Sequence, residues 1–550
     1  MFATFPRLRR TPKAAPAGPA PAVLPGYEKD RDNPRSRKLR RVRYVGVTIG
    51  AFIYAFLFGL LPPAFLSILL LPLAILTIFV IWALPVSDFT PPKALAICFS
   101  LFFATMYLWP NYLALSLPGL PWITVSRLFG GPMLAILLVC ASASQPFRTR
   151  MAELLNAEPW IWKFVAAFAV VQLISLFFSA NPYPTANRVI NQQITWTGVF
   201  FAAVWVFRHP DRIVLWGRVL IALAVFVSII GEIEARYEMV LWANSIPSFL
   251  QVEDPAVQRV LAGTSRNGIY RVVSTTMNPL SLAEFLALAT PFILHELRMA
   301  KTILMRFVLL AIDVLVIHTI ILTDSRLGLV GALATHAIYG FIWMGQKWRS
   351  ERETLIGPAV TIAYPALLAA LAVVVVAVPR LRVAILGGSR QQSSNDARGS
   401  QFEMMPDVFL QSPLFGYGSG EGGNVLGYQN RAGQGTIDSY LLSMALDYGM
   451  IGFICFYGLI IGGCAAAVKI ALSRNDRYSS LGIPIALFML SLLLIRFVLS
   501  NESNLPLLFM MLGAIVGLKA YTRTVPGAGV VVSSAPGARA SLQTSRPGRR

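Results

Sequence analysis

Charge is scarce in this sequence. Only 13% of its 550 residues are Asp, Glu, Lys or Arg, about half the roughly 25% of a typical soluble domain. So few charges cannot cover a water-exposed surface. Cysteine is scarcer still. Cys98, Cys140, Cys455 and Cys464 all fall inside apolar runs, which excludes a disulfide framework and leaves four small buried hydrophobes. The four histidines, His209, His295, His318 and His336, have no metal spacing with one another or with a cysteine, so neither a metal nor a cofactor is implied. No internal repeat of the kind that marks matching transporter halves is visible.

Apolar sequence is abundant. Hydrophobic residues make up 56% of the chain and the mean hydropathy is +0.63, which indicates a protein whose solvent is mostly lipid. Apolar runs near the length of a bilayer crossing lie at about 45–61, 64–84, 94–114, 123–144, 161–179, 192–207, 217–231, 281–297, 307–323, 327–344, 358–378, 449–468, 482–499 and 505–521. The expected fold is an all-α, polytopic integral membrane protein of about 12–14 transmembrane helices, with a membrane domain over 45–521.

The net charge is +21, and its placement decides what it means. Residues 1–44 hold twelve basic side chains against Glu28, Asp30 and Asp32, and residues 522–550 hold five arginines and no acid. Both segments are rich in Pro, Ala, Gly and Ser and have no apolar face, so they are expected to be disordered basic tails. Nucleic acid is not an expected partner, because the only aromatics among these charges are Phe2, Phe5, Tyr27 and Tyr44 and binding would want them interleaved on a folded surface. No apolar core precedes Val45, so no cleavable signal peptide is expected. An even number of spans puts both tails on one side. With that side cytoplasmic, every inner loop is neutral or basic, as the positive-inside rule requires.

Lysine and arginine then separate. In this topology all nine lysines lie at or near the cytoplasmic face, while the outer face carries arginines only, among them Arg127, Arg188, Arg266, Arg271, Arg326 and Arg398, with Arg496 inside a span. Planar guanidinium forks suit bidentate binding of phosphate oxygens; a general excess of arginine would produce the same pattern. Two outer segments, about 232–280 and 379–448, exceed what a connector needs and are expected to be functional external loops with short helices.

Three outer stretches can carry chemistry. In Thr323-Asp324-Ser325-Arg326-Leu327-Gly328, Arg326 either pairs with Asp324 or binds an anion at a helix N-terminus. Around Tyr270-Arg271 and Met277-Asn278-Pro279, an arginine precedes a span that holds Glu284 one turn inside; this acid either serves function or pairs with an arginine to lock helices. The third stretch runs Arg398-Gly399, then Ser412-Pro413-Leu414-Phe415-Gly416-Tyr417-Gly418, Ile437-Asp438-Ser439-Tyr440-Leu441 and Asp447-Tyr448-Gly449-Met450-Ile451-Gly452.

This third stretch resembles the large external loop of the O-antigen ligase and O-antigen polymerase superfamily. The family pattern is an arginine, a helix, a Pro-Leu-x-Gly-x-Gly turn, a short polar pair and an acid-x-Gly-x-x-Gly entry into the next span. Ser325-Arg326 is similar to the family's Ser-Arg-Gly step, with Leu327 in place of the glycine, and Arg496 to Glu502 resembles its last polar span. The resemblance covers about 120–520, with its specific part at 398–453. Asp438-Ser439 stands where the ligases have a His-Asn pair, which favours members that polymerise exopolysaccharide.

The resemblance implies a metal-independent glycosyltransferase of the bacterial inner membrane whose donor glycan sits on undecaprenyl pyrophosphate. Its partners would be that donor, an acceptor glycan, the bilayer and other envelope polysaccharide-assembly proteins. The expected activity is polymerisation of exopolysaccharide or O-antigen repeat units on the periplasmic face. The alternatives are a ligase delivering glycan to lipid A core or protein, and a lipid-linked oligosaccharide flippase, which would want charges mid-membrane rather than outside. Arg326 and Arg398 are the expected catalytic cations, with Arg271, Arg266 and Arg496 binding the pyrophosphate. Asp438 is the expected aligning group or base for the acceptor hydroxyl, or else a helix N-cap. Glu284, Tyr440 and Glu421 complete the expected substrate-binding set.

Overall fold

The computed structural model describes residues 45–46, 49–50, 75–89, 93–115, 122–250, 254–266, 268–350, 355–377, 389–429, 433 and 435–524. The basic tail 1–44, nearly all of the first expected span, the first half of the second, and residues 525–550 lie outside the described residues. The chain divides into two compact units. In the smaller, Met1–Ile75 with Pro118–Leu120, the described residues are helical. The larger, Leu76–Leu117 with Pro121–Arg550, carries every element named below.

Its helices are α1 (Ala94–Leu108), α2 (Val125–Ala143), α3 (Gln145–Leu155), α4 (Pro159–Ser175), α5 (Pro182–Gln192), α6 (Val199–Val206), α7 (Pro210–Tyr237), α8 (Pro255–Leu261), α9 (Pro279–Met299), α10 (Ile303–Leu322), α11 (Arg326–Ser350), α12 (Ile356–Ala377), α13 (Ser389–Phe409), α14 (Gly422–Leu426), α15 (Tyr440–Ser473), α16 (Gly482–Arg496) and α17 (Leu505–Thr524). Two antiparallel ribbons accompany them: β1 (Ala114–Leu115) with β2 (Ile123–Thr124), and β3 (Ser265–Arg266) with β4 (Ile269–Tyr270). A π-helical turn, Gln193–Gly198, joins α5 to α6.

Each expected span from residue 94 onward coincides with a helix. Among the described residues, nine helices are long and apolar enough to cross a bilayer, so the protein is an all-α polytopic membrane protein. Proline opens several of the helices, spanning and short alike: Pro159, Pro182, Pro210, Pro255 and Pro279 all stand at the start of a helix, where the missing N–H costs nothing. Asn278 shows the complete device, its Oδ1 accepting from Ser281 N at 2.8 Å ahead of Pro279.

Helices α9, α16 and α17 are buried along most of their length and form the centre of the bundle, while α2 and α10 turn most of theirs outward. Ile303, Leu304, Phe307, Val314 and Ile321 on α10 are exposed hydrophobes, as lipid-facing positions should be. Close helix approach relies on small residues. A Cβ on Gly328 of α11 would lie 2.6 Å from the Cβ of Ala283 on α9.

Two boundaries differ from the sequence reading. The first long connector does not open at 232, because α7 continues to Tyr237. The helix tolerates its acids since each is occupied: Glu232 meets His318 Nδ1 at 2.9 Å and Thr319 Oγ1 at 2.9 Å, and Glu234 accepts from Tyr270 Oη, Val273 N and Ser274 N. At the other end of the chain, α17 extends to Thr524, so residues 522–524 are helical. There Arg523 Nη1 donates to Asn156 O at 3.0 Å.

The helices alternate so that two ends of the bundle differ in charge. The six described lysines, Lys93, Lys163, Lys301, Lys347, Lys469 and Lys519, all flank helix termini of one end. That end is tied by Lys519 to Glu158 (3.8 Å), Arg474 Nη2 to Thr522 O and Tyr478 Oη to Asp211. The opposite end gathers the start of α9, α11, α15 and α17 and the finish of α1, α10 and α16.

Candidate active site

At this end, which has no lysine among the described residues, three pieces of chain bring four arginines together. The β3–β4 hairpin turns at Gly268, whose φ of 78° requires glycine. It presents Arg266 on β3 and Arg271 just after β4, the latter tied by its backbone N to Thr264 O at 2.8 Å. Arg271 Nε donates to Thr323 O at 2.9 Å in the turn from α10 to α11, and its Nη2 is buried without a hydrogen-bond partner among the described residues. In that turn Asp324 has a φ of 50°, a left-handed conformation that Asp tolerates better than most residues. Asp324 Oδ2 lies 4.0 Å from Arg266 Nη1, so the ion pair forms with Arg266 and leaves Arg326 at the first position of α11.

Arg398 comes from α13, and the helix places it. Gln401, one turn further on and wholly buried, accepts from Asp438 N at 2.9 Å through its Oε1 and donates to Thr436 O at 3.4 Å. Residues three apart share a helix face, so the clasp that holds 436–438 also directs Arg398 toward Asp438. The charges act on one another. Burial lowers the Arg398 guanidinium pKa; Asp438 opposes this, and the Arg326 and Arg266 charges add to it. Burial likewise lowers Arg271, with Asp324 opposing and Arg266 adding. Four guanidinium groups thus stand near two carboxylates, an arrangement that favours an anion with several oxygens.

Asp438 does not cap α15. The N-cap is Ser439, whose Oγ donates instead to Phe497 O at 2.8 Å. This contact fastens the start of α15 to the end of α16. Next to it, Arg496, Glu284 and Tyr440 are wholly buried. Arg496 Nη2 donates to Glu284 Oε2 at 2.9 Å, Asn504 Nδ2 donates to the same oxygen at 2.9 Å, and Tyr107 Oη donates to Asn504 Oδ1 at 3.0 Å. The guanidinium lies over the Tyr440 ring, 5.0 Å from its centroid. These three expected substrate-binding residues therefore support the site from inside rather than line it.

The Pro413–Gly418 turn has its own anchor. Helix α15 is interrupted at Gly449 (φ 65°, ψ −169°), which frees backbone groups that a continuous helix would use. The turn takes them: Tyr417 N to Leu446 O (2.8 Å), Gly418 N to Asp447 O (3.0 Å) and Met450 N to Pro413 O (2.8 Å). Asp447 itself is buried, its Oδ1 accepting from Gly422 N at 2.8 Å.

Glu421 lies elsewhere. It accepts from Asn181 Nδ2 at 3.0 Å and Asn424 Nδ2 at 3.3 Å in the wall of a polar cavity of about 530 Å³ that also takes in Arg127, Arg188, Asn191 and Glu502. Arg188 and Glu502 were not among the expected site residues; Arg188 stood only among the outer arginines, and Glu502 only at the end of the stretch that resembles the family's last polar span. Glu502 foremost raises the Arg188 pKa, with burial opposing and Asp447 adding. Among the described residues, no group of three or more His, Cys, Asp and Glu is placed to hold a metal ion.

Comparison with known proteins bears on the same segment. Residues 311–457 match the O-antigen ligase family. The matched segment holds Arg326, Arg398 and Asp438, together with the kink at Gly449 and the turn packed on it. It begins within α10 and ends within α15. No curated protein matches the chain.

Proposed function

We propose that this protein is a membrane glycosyltransferase that uses glycan linked to undecaprenyl pyrophosphate and polymerises exopolysaccharide or O-antigen repeat units on the periplasmic face of the bacterial inner membrane. The observation that carries this reading is the arginine cluster of Arg266, Arg271, Arg326 and Arg398 beside Asp438, on the end of the bundle that has no lysine among the described residues, with three of those residues in the segment that matches the O-antigen ligase family.

The chemistry follows from charge. An acceptor sugar hydroxyl attacks the anomeric carbon of the donor, the new C–O bond forms, and the bond to the pyrophosphate oxygen breaks with its electron pair staying on the pyrophosphate. Negative charge grows on the leaving group, and preorganised guanidinium forks placed there stabilise it. The hydroxyl proton goes to the Asp438 carboxylate, which is half-buried and therefore still reachable by substrate. Arg326 and Arg398 take the catalytic role, and Arg266 and Arg271 hold the pyrophosphate.

The ligase reading is second, favoured by the family description and opposed by Asp438-Ser439 at the position of the ligases' His-Asn pair. A deletion strain separates the readings. Loss of polymer with single lipid-linked repeat units retained supports the polymerase; accumulation of long lipid-linked chains supports the ligase. Repeat units trapped on the cytoplasmic leaflet would overturn both in favour of a flippase.

A further inference from the structure

Beside the arginine cluster the structure holds a second polar space of different character. The cavity of about 530 Å³ adjoins another of about 440 Å³, and the two share Arg127, Arg188, Asn191 and Glu502 in their walls. Each is in the range of about 300–1,000 Å³ typical of small-molecule sites. The arginine cluster has an excess of guanidinium; this cavity sets Arg127 and Arg188 against Glu421 and Glu502, with asparagine carboxamides between them. Two carboxylates repel a phosphate. Vicinal hydroxyls of a sugar suit this lining, since they can donate to the carboxylates and accept from guanidinium and amide groups at once.

The lining is held in place before any ligand arrives. Arg127 donates through Nε to Asn191 Oδ1 at 3.3 Å and through Nη1 to Trp122 O at 2.8 Å. Gln192 Nε2 donates to Glu502 Oε2 at 3.3 Å, and Gln192 Oε1 receives Tyr448 Oη at 2.8 Å. The Arg188 guanidinium occupies the space that a side chain on Gly420 would take. In the wall of the second cavity, Asn111 Oδ1 is buried with no hydrogen-bond partner among the described residues, an acceptor awaiting a donor. The position suits transfer as well. Glu502 and Arg496 both lie within electrostatic reach of Tyr440, two residues beyond Asp438, so this cavity and the arginine cluster flank the same helix start.

We infer that this cavity binds the acceptor: the terminal sugars of the glycan whose hydroxyl is to be glycosylated. The inference rests on the glycosyl-transfer reading above and assigns the second substrate to Arg127, Arg188, Asn191, Glu421 and Glu502.

The test uses the full-length protein in lipid nanodiscs and two probes, inorganic pyrophosphate and the free oligosaccharide released by mild acid from the host's lipid-linked repeat unit. Wild-type protein binds both. Glu502→Gln, which keeps the shape of the wall, and Asn187→Trp, which fills the cavity and removes one carboxamide from its lining, each weaken the oligosaccharide about tenfold, a change of about 1.4 kcal/mol, and leave pyrophosphate binding unchanged. Retained pyrophosphate binding also reports that each variant is folded. Arg326→Lys shows the reverse pattern. Equal oligosaccharide binding by the wild type and both cavity variants, or none by the wild type, overturns the assignment. Failure of the transfer reading looks different: no product forms from a lipid-linked donor while the oligosaccharide still binds in a manner sensitive to Glu502.

Discussion

Arg496 and Glu284 meet inside the bundle with no solvent exposure, Nε 2.8 Å from Oε1 and Nη2 2.9 Å from Oε2. Their helices, α16 and α9, are both central, so the pair ties together the elements on which the arginine cluster rests. Removing one partner strands a charge in an apolar interior at a cost of about 3–5 kcal/mol, while replacing both with apolar groups is often neutral. Glu284→Leu and Arg496→Met alone should each lower the thermal unfolding midpoint steeply. The double variant should regain most of that stability and keep glycan transfer, because neither side chain reaches the cavities. A stable double variant that makes no product would instead assign the pair a part in the reaction.

Arg326 and Arg398 are the cations placed at the first turn of α11 and beside Asp438. Lysine keeps their charge and loses the planar fork. Arg326→Lys and Arg398→Lys should each lower kcat by about 10- to 100-fold, read as polymer yield in cells and as turnover of a purified lipid-linked donor. Full-length polymer at wild-type yield with lysine at both positions would mean that bidentate recognition is not their role.

The spans and the arginine end are legible in the sequence for a physical reason. An apolar run of about 20 residues has one low-energy solution in a bilayer, a hydrogen-bonded helix. Arg326 opens such a run, and Arg266, Arg271 and Arg398 lie in the two long outer loops between runs, so alternation alone brings them to one end. The boundary at 232 is misread for the converse reason. Glu232 and Glu234 look like a helix end until their partners are known, and His318 and Tyr270 stand 86 and 36 positions away. The second cavity is hidden for the same cause: the Gln192–Glu502 contact spans 310 positions and Asn181–Glu421 spans 240. Local periodicity does not encode which helices pack together.

Gly449 is a position where one methyl group should detach a functional loop. Its φ of 65° lies in the left-handed region, and an added Cβ would come within 2.6 Å of Phe415 N as well as against the Leu414 carbonyl. Strain of this kind costs about 1–3 kcal/mol. Gly449→Ala should therefore release the Pro413–Gly418 turn, seen as new protease cleavage between 412 and 418 together with lost transfer. Gly423→Ala is the control, since its Cβ would make an ordinary contact of 3.4 Å with Gly435 O. A Gly449→Ala protein as protease-resistant and active as the wild type would show that the kink is not what holds the turn.

The separation of lysine and arginine also predicts an orientation in the membrane. Six described lysines mark one end of the bundle and the arginine cluster marks the other. An excess of basic residues beside spans marks the cytoplasmic side, and with the lysine-bearing end on that side Arg326, Arg398 and Asp438 would face the periplasm. The four native cysteines are buried or half-buried, so a single exposed thiol can report its side. Leu410, at 71% exposure just after α13, and Lys301, exposed between α9 and α10, lie at opposite ends. In intact cells whose outer membrane has been made permeable, Leu410→Cys should react with a membrane-impermeant maleimide, and Lys301→Cys should react only after lysis. The opposite labelling pattern would place the arginine cluster in the cytoplasm, where a periplasmic polymerase could not use it.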